Sequence, residues 1–338
     1  MTFKSLEQRI AQSYLDLLAP FVPDNNACVS VSEQEKFYHL IKNLYQLAFD
    51  EPLLLVSSLH EDDAYPGCIK SSYSKPELQV NMNKFSKSID MLLKNMYVIG
   101  QGLEVKLNKR QNDILIKLGI NDFTNLSPAW VWMSNRIDCG LTDFSFCLFN
   151  KDYPYTSDIY ARLLGESAFR KLESWLITHG YKRFDIYNII ASNCKLSLTY
   201  ANPVWSNEQP NGGFEYKMKH TGISVRYDAC YKNPVVLGLC IPYGFKTFLE
   251  GFESADSSVK HFIIERTKRC DCCKYCVQTD KTGTRPLAAI ELSHDGEKHL
   301  LCPYFPGYSY RWSSINDNLV GQLTEMLTFM DTFATSKE

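Results

Sequence analysis

The chain has 338 residues, 45 % of them hydrophobic, enough for one large core or two of ordinary size. Thirty-six basic residues against 38 acidic ones leave a formal charge of -2, which removes any global reason to expect a nucleic acid or an acidic membrane surface as partner. No run of eighteen or more apolar residues occurs, so no membrane span is predicted.

In chain order, the N-terminal MTFKSLEQRIAQSYLDLLAPF places Leu6, Ile10, Tyr14, Leu17 and Phe21 on one side of a helix and lacks the uninterrupted apolar core of a signal peptide. The chain is therefore expected in the cytoplasm. Ser32 and Glu35 form a capping-box pattern ahead of the stripe Phe37, Leu40, Ile41, Leu44, Tyr45 and Ala48, which Pro52 ends. Phe85, Ile89, Leu92, Leu93 and Met96 predict another helix, and Ile114, Leu115 and Leu118 a third that stops at Gly119. From Pro52 to Lys84 and from Asn121 to Tyr155 the periodicity breaks into polar turns, aromatics and short apolar runs such as FSFCLF. The turn-rich DYPYTSD at the end of the second break suits a linker, so a helix-rich region 1–155 is separated from a region 156–338.

Beyond it, Leu164, Ala168, Leu172, Trp175 and Leu176 predict a helix closed by Gly180, after which the period changes to that of strands. FDIYNII, KLSLTY, FEYKMK, ISVRYD and VVLGL are short strand-like segments split by turn clusters such as NEQPNGG and KNP. Phe214, Tyr216 and Met218 share one face of FEYKMK and Glu215, Lys217 and Lys219 the other, as in an antiparallel sheet with one wet side. The stripe Leu319, Leu323, Met326, Leu327, Met330 and Phe333 is a covering helix. The fold class is α+β: a helical N-terminal region, then a mainly antiparallel sheet with helices and a small cysteine-rich knuckle at 270–302.

Of twelve cysteines, Cys28, Cys68, Cys139, Cys147, Cys194, Cys230 and Cys240 are scattered and read as small apolar side chains. The other five are clustered. Cys270, Cys273 and Cys276 form two overlapping Cys-x-x-Cys spacings, and Cys302 supplies a distant fourth thiolate, the pattern of a metal site that clips a long loop. Turns at 280–283 and at His294-Asp295-Gly296 would bring Cys302 back, with Cys276 and Cys302 flanking a middle strand near Leu287 to Ala289. His299 is ranked below Cys270 as fourth ligand, because residues three apart on a strand face opposite ways; Cys272 is a spare thiol.

Two metal groups compete for these thiolates. The Cys-x-x-Cys-x-x-Cys run with a remote Cys-Pro also fits an iron–sulfur cluster, but Asp271, Lys274 and Tyr275 stand where small residues let amides approach the sulfides. Zinc in a closed structural site is the preferred reading. Asp280-Lys281-Thr282-Gly283-Thr284 repeats the letters of the P-type ATPase phosphorylation site, yet a four-residue turn with glycine at the left-handed position accounts for it.

The combination of CDCCKYCVQTDKTG, CPYFPGYSYRW and DYPYTSDIYARLLG resembles a group of bacterial proteins to which no function is assigned. The resemblance extends over much of the chain and implies no activity.

Three further stretches are candidates. Tyr304, Phe305, Tyr308, Tyr310 and Trp312, with Arg311, form an aromatic loop after Cys302 that suits either a pocket for a flat ligand or packing of the knuckle on the sheet. Arg266, Lys268, Arg269 and Lys274 make a basic edge, read as solvated rather than as a nucleic-acid surface. His60, Asp62 and Asp63 in HEDD offer acid–base or metal chemistry, but with no partner motif they read as a solvated loop. The common nucleophile-elbow, zinc-protease, P-loop and dinucleotide motifs do not occur, and no two of the seven histidines stand at ligand spacing. The expectation is thus a soluble metal-binding protein that grips a small molecule or another protein. An iron–sulfur redox carrier is the alternative, and nucleic-acid binding the weaker one.

Overall fold

The computed structural model describes residues 3–62, 76–188, 195–202, 206–208, 214–216, 222–229, 233–241, 248–270, 289–302 and 309–336. The chain divides into two compact units. The first comprises Met1–Ile159, Tyr187–Ser197 and Tyr227–Pro234, and the second Tyr160–Ile186, Leu198–Arg226 and Val235–Glu338.

The first unit is built from helices α1 (Leu6–Leu17), α2 (Val31–Asp50), α3 (Pro76–Gly100), α4 (Lys109–Lys117), α5 (Pro128–Asn135) and α6 (Leu141–Ser145), and α7 (Tyr155–Leu164) begins in it. Leu6, Ile10, Tyr14 and Leu17 are buried as the α1 stripe predicts. The helix stops there because Leu18 turns to extended backbone ahead of Ala19-Pro20. Phe21 packs beyond the helix, against the rings of Tyr38 and Phe149.

In α2 the cap is Ser30 rather than Ser32: Ser30 Oγ accepts the Glu33 N–H. SVSE offers a Ser-x-x-Glu of its own two residues upstream of the one read from the sequence. The earlier start is held by Gln34, whose buried amide bonds to the carbonyls of Asp24 and Val29 and accepts the Asp24 N–H. Asn108 and Gln111 form a reciprocal box at the start of α4.

FSFCLF is no loop filler. Phe144, Phe146 and Phe149 are fully buried and join Phe37, Tyr45 and Trp130 in the aromatic centre of the unit. Trp130 Nε1 donates to the Met96 carbonyl at 2.8 Å, which ties α5 to α3. A Cβ on Gly100 would fall 2.2 Å from Ser134 Oγ and 2.6 Å from Trp130 Cδ1, so the two helices approach closely only because that position is glycine. DYPYTSD also reaches the core. It enters α7, where Tyr155, Thr156 and Ser157 are buried and the Tyr155 hydroxyl donates to the Leu17 carbonyl. Aromatic and small hydroxyl residues read as turn-formers in the sequence are here satisfied by the core.

The second unit carries α8 (Glu166–Thr178) and an α+β arrangement. Strands β1 (Lys182–Asn188), β2 (Lys195–Ala201), β5 (Gly222–Asp228), β6 (Val235–Cys240) and β9 (Ser309–Trp312) form a five-stranded sheet in the order β1-β2-β5-β6-β9, most of whose residues fall in this unit. Strands β3 (Ser206–Glu208) and β4 (Phe214–Tyr216) make one antiparallel ladder, and β7 (Ile290–His294) and β8 (Glu297–Leu301) another. Met218 and Lys217 of FEYKMK lie outside the described residues. Helices α9 (Ser257–Arg266) and α10 (Asp317–Ser336) complete the unit. The predicted stripe from Leu319 to Phe333 is buried throughout, and α10 packs on α8 and α9. Gly165, at φ +123°, separates α7 from α8, and a Cβ there would stand 2.8 Å from the Ile315 carbonyl oxygen.

Candidate metal centre

The cysteine-rich segment begins where α9 ends. Thr267 leaves the helix in extended conformation, and its buried hydroxyl shares a 3.0 Å hydrogen bond with the Tyr310 hydroxyl. The chain then runs antiparallel along the outer edge of β8. Cys270 N–H donates to Leu300 O at 2.8 Å, Cys302 N–H donates to Lys268 O at 2.9 Å, and Arg269 stands opposite Leu301. The other edge of β8 is taken by β7 through the register Ile290↔Leu301 and Leu292↔His299.

β8 thus has a partner on each edge, β7 on one and the chain leaving α9 on the other; the predicted flanking of a strand near Leu287 to Ala289 by Cys276 lies outside the described residues. The two-residue turn Asp295-Gly296, with φ +50° and +80°, folds β8 tightly onto β7 and leaves its far edge open to the chain leaving α9.

Pleat alternation then fixes the faces. Arg269 and Leu301 are opposite, so Cys270 and Cys302 both lie on the reverse face as diagonal neighbours, with Cα atoms about 7–8 Å apart and Cβ atoms somewhat closer. Two thiolates on one tetrahedral zinc, each at about 2.3 Å, have sulfurs about 3.8 Å apart, which two cysteine side chains on such a diagonal can span. Cys302 is 5 % exposed and Cys270 partly exposed, and both are free thiols. His299 shares the opposite, buried face with Leu292 and Leu301, which removes it from the Cys302 side. Cys272, Cys273 and Cys276, and the Asp280 turn, lie outside the described residues. Among the described residues no group of three or more His, Cys, Asp or Glu side chains is placed to hold a metal ion.

Of the aromatic loop, Tyr304, Phe305 and Tyr308 lie outside the described residues. Tyr310, Arg311 and Trp312 belong to β9, opposite Leu239, Gly238 and Leu237 of β6. Tyr310 is 2 % exposed and edge-on to Phe262 of α9 at 5.4 Å, and Trp312 is 6.0 Å from the same ring. Burial pushes the Tyr310 hydroxyl well above its ordinary range, with the Thr267 bond opposing. Arg311 alternates to the other face of the sheet, near the Cys240 thiol. These three residues therefore do not line one surface: two pack α9 onto the sheet and the third faces away. On the basic edge, Arg266 lies over Phe262 at 5.9 Å, and Lys268 and Arg269 are the residues paired with β8.

The scattered cysteines divide. Cys139 and Cys147 are buried, and burial raises their thiols, Cys139 to about 11; Cys28 is exposed.

In the first unit His60 and Asp62 of HEDD are held by α1 rather than free in solvent, while Glu61 between them is exposed. His60 Nδ1 lies 2.7 Å from Glu7 Oε1, and its backbone N–H donates to Glu7 Oε2 at 3.1 Å. Two residues on, Asp62 takes a bidentate pair from Arg9, with both contacts at 2.6 Å, and the Arg9 guanidinium lies 4.7 Å from the Phe3 ring centroid. Glu7 and Arg9 are polar residues on the largely buried α1, and the sequence showed them only as two charges interrupting its stripe. Nearby in the same unit the Tyr14 hydroxyl donates to Asp90 Oδ1 at 2.6 Å, and burial raises the Asp90 carboxyl to about 7 against the opposing effect of that bond. Asp63 lies outside the described residues.

No protein-family model, curated protein or solved structure matches this chain.

Proposed function

We propose that the chain is a metal-binding protein in which Cys270, Cys273, Cys276 and Cys302 hold one structural zinc ion, clipping the segment after α9 to β8 within a protein that binds a small molecule or a partner protein. The observation that supports this reading is the antiparallel pairing of Lys268–Cys270 with Leu300–Cys302, which sets two sequence-distant thiols on one face of one ladder. Two backbone hydrogen bonds hold the two segments together, so the ion would bind across a geometry that the ladder itself supports. A closed four-thiolate site leaves no position for substrate, and its contribution is to folding.

Elemental analysis with a visible spectrum of anaerobically purified full-length protein tests the proposal. About one zinc per chain and no colour is the expected result. Iron with acid-labile sulfide and charge-transfer absorption that bleaches on reduction would replace zinc by a redox cluster on the same thiolates. Metal-free protein whose melting curve matches that of Cys302→Ser would remove the metal altogether.

A further inference from the structure

His60 is held at three points. Leu6 N–H donates to its carbonyl at 2.9 Å, its own N–H donates to one oxygen of Glu7, and Nδ1 meets the other. The Glu7 side chain is 1 % exposed, and a carboxylate accepts, so in the neutral ring the proton sits on Nδ1 and the lone pair is left on Nε2. The His60 side chain is 36 % exposed, and all its hydrogen bonds go to Leu6 and Glu7. Its open edge is therefore the Nε2 edge.

A tether needs only the two backbone bonds. A buried carboxylate on Nδ1, an immobilised ring and an exposed Nε2 together make the arrangement in which an acid orients an imidazole for attack or proton transfer. The same arrangement serves metal ligation, but both Asp62 oxygens are taken by Arg9, and no three ligand side chains converge among the described residues. Glu7 lies behind the ring and the exposed Glu61 beside it, a negative setting that disfavours anionic substrates.

We propose that His60 is an acyl-accepting nucleophile, oriented by Glu7, for neutral ester- or anhydride-type carbonyl compounds. Nε2 attacks the carbonyl carbon, the bond from that carbon to the leaving oxygen breaks, and the leaving group departs as alkoxide or phenolate from an ester or as carboxylate from an anhydride, the alkoxide or phenolate taking up the proton that water releases in the second step. Glu7 stabilises the positive charge that develops on the ring through Nδ1–H. Water then cleaves the acyl–Nε2 bond and restores the imidazole. The net reaction is ester plus water to carboxylic acid plus alcohol.

His261 supplies an internal control: it too meets a carboxylate, Glu265 at 3.0 Å, but both side chains are in water, with His261 63 % exposed. Trace modification of the full-length protein with diethyl pyrocarbonate, read peptide by peptide by mass spectrometry, compares the two rings directly. His60 is expected to react about fivefold faster than His261 despite its lower exposure. Glu7→Gln is expected to abolish that advantage, and Asp62→Asn, which breaks only the neighbouring ion pair, to preserve it. Hydrolysis of 4-nitrophenyl acetate is expected to fall in His60→Gln to the background set by the remaining exposed histidines, such as His261. Equal or slower reaction of His60 in the unaltered protein overturns the proposal, even where Glu7→Gln fails to fold; so does an advantage that survives Glu7→Gln.

Discussion

The two units fasten their irregular segments by different means. In the first, the segment after α2 is tied to α1 by two carboxylates, Glu7 on the half-exposed His60 ring and Asp62 on Arg9, the second an ion pair largely withdrawn from water. In the second, the segment after α9 is tied to β8 by main-chain hydrogen bonds and to β9 by a neutral Thr267–Tyr310 contact, and the chemically distinctive groups are thiols. A buried ion pair is costly to break on one side, because the remaining charge stays desolvated. A main-chain ladder loses little when one side chain changes. The first unit should thus be sensitive to charge and pH, and the second to whatever binds its thiols.

The largest effect is expected from pH. Burial pushes the Asp90 carboxyl up to about 7 in the folded chain, against an ordinary value of 3.8 when unfolded. The folded state therefore holds the proton more tightly, and stability is full below about pH 4, falls as pH rises toward about 7 and stays low above it. The difference is about 4 kcal/mol at the limit. Urea unfolding from pH 4 to pH 8 should show this decline, and Asp90→Asn should flatten it and be the more stable protein at pH 8. Next in size, Arg9→Met leaves the Asp62 carboxylate without its bidentate partner and is expected to lose about 3 kcal/mol by denaturant unfolding at neutral pH. Smallest, Tyr310→Phe removes one neutral hydrogen bond to Thr267 and should cost about 1 kcal/mol. A loss for Tyr310→Phe as large as that for Arg9→Met would erase the contrast between the units.

Much of this architecture was legible from periodicity. The stripes from Phe85 to Met96 and from Leu319 to Phe333 are repeated apolar spacings, and burial follows directly from them. The α+β division was visible in the change of period after Gly180. Legibility failed where a side chain's partner is distant in sequence. Phe144, Phe146 and Phe149 follow no helical spacing because they enter the core from a short helix and the turn after it. His60 looked solvated because Glu7 lies 53 residues away. The same limit applied to the thiols: the spacing nominated Cys270 and Cys302 together, but the direct pairing of their segments joins residues distant in sequence and could not be read from either stretch alone.

That hairpin has an evolutionary corollary. Side chains on a strand alternate with a period of two, so lengthening the Asp295-Gly296 turn by a single residue would invert β8 as a whole. His299 and Leu301 would turn outward, and the thiol of Cys302 would be presented to the apolar interior, away from Cys270. Insertions at this tip should therefore be tolerated in pairs but not singly, which makes turn length, rather than any cysteine, the most economical mark by which to recognise chains that keep the same ladder.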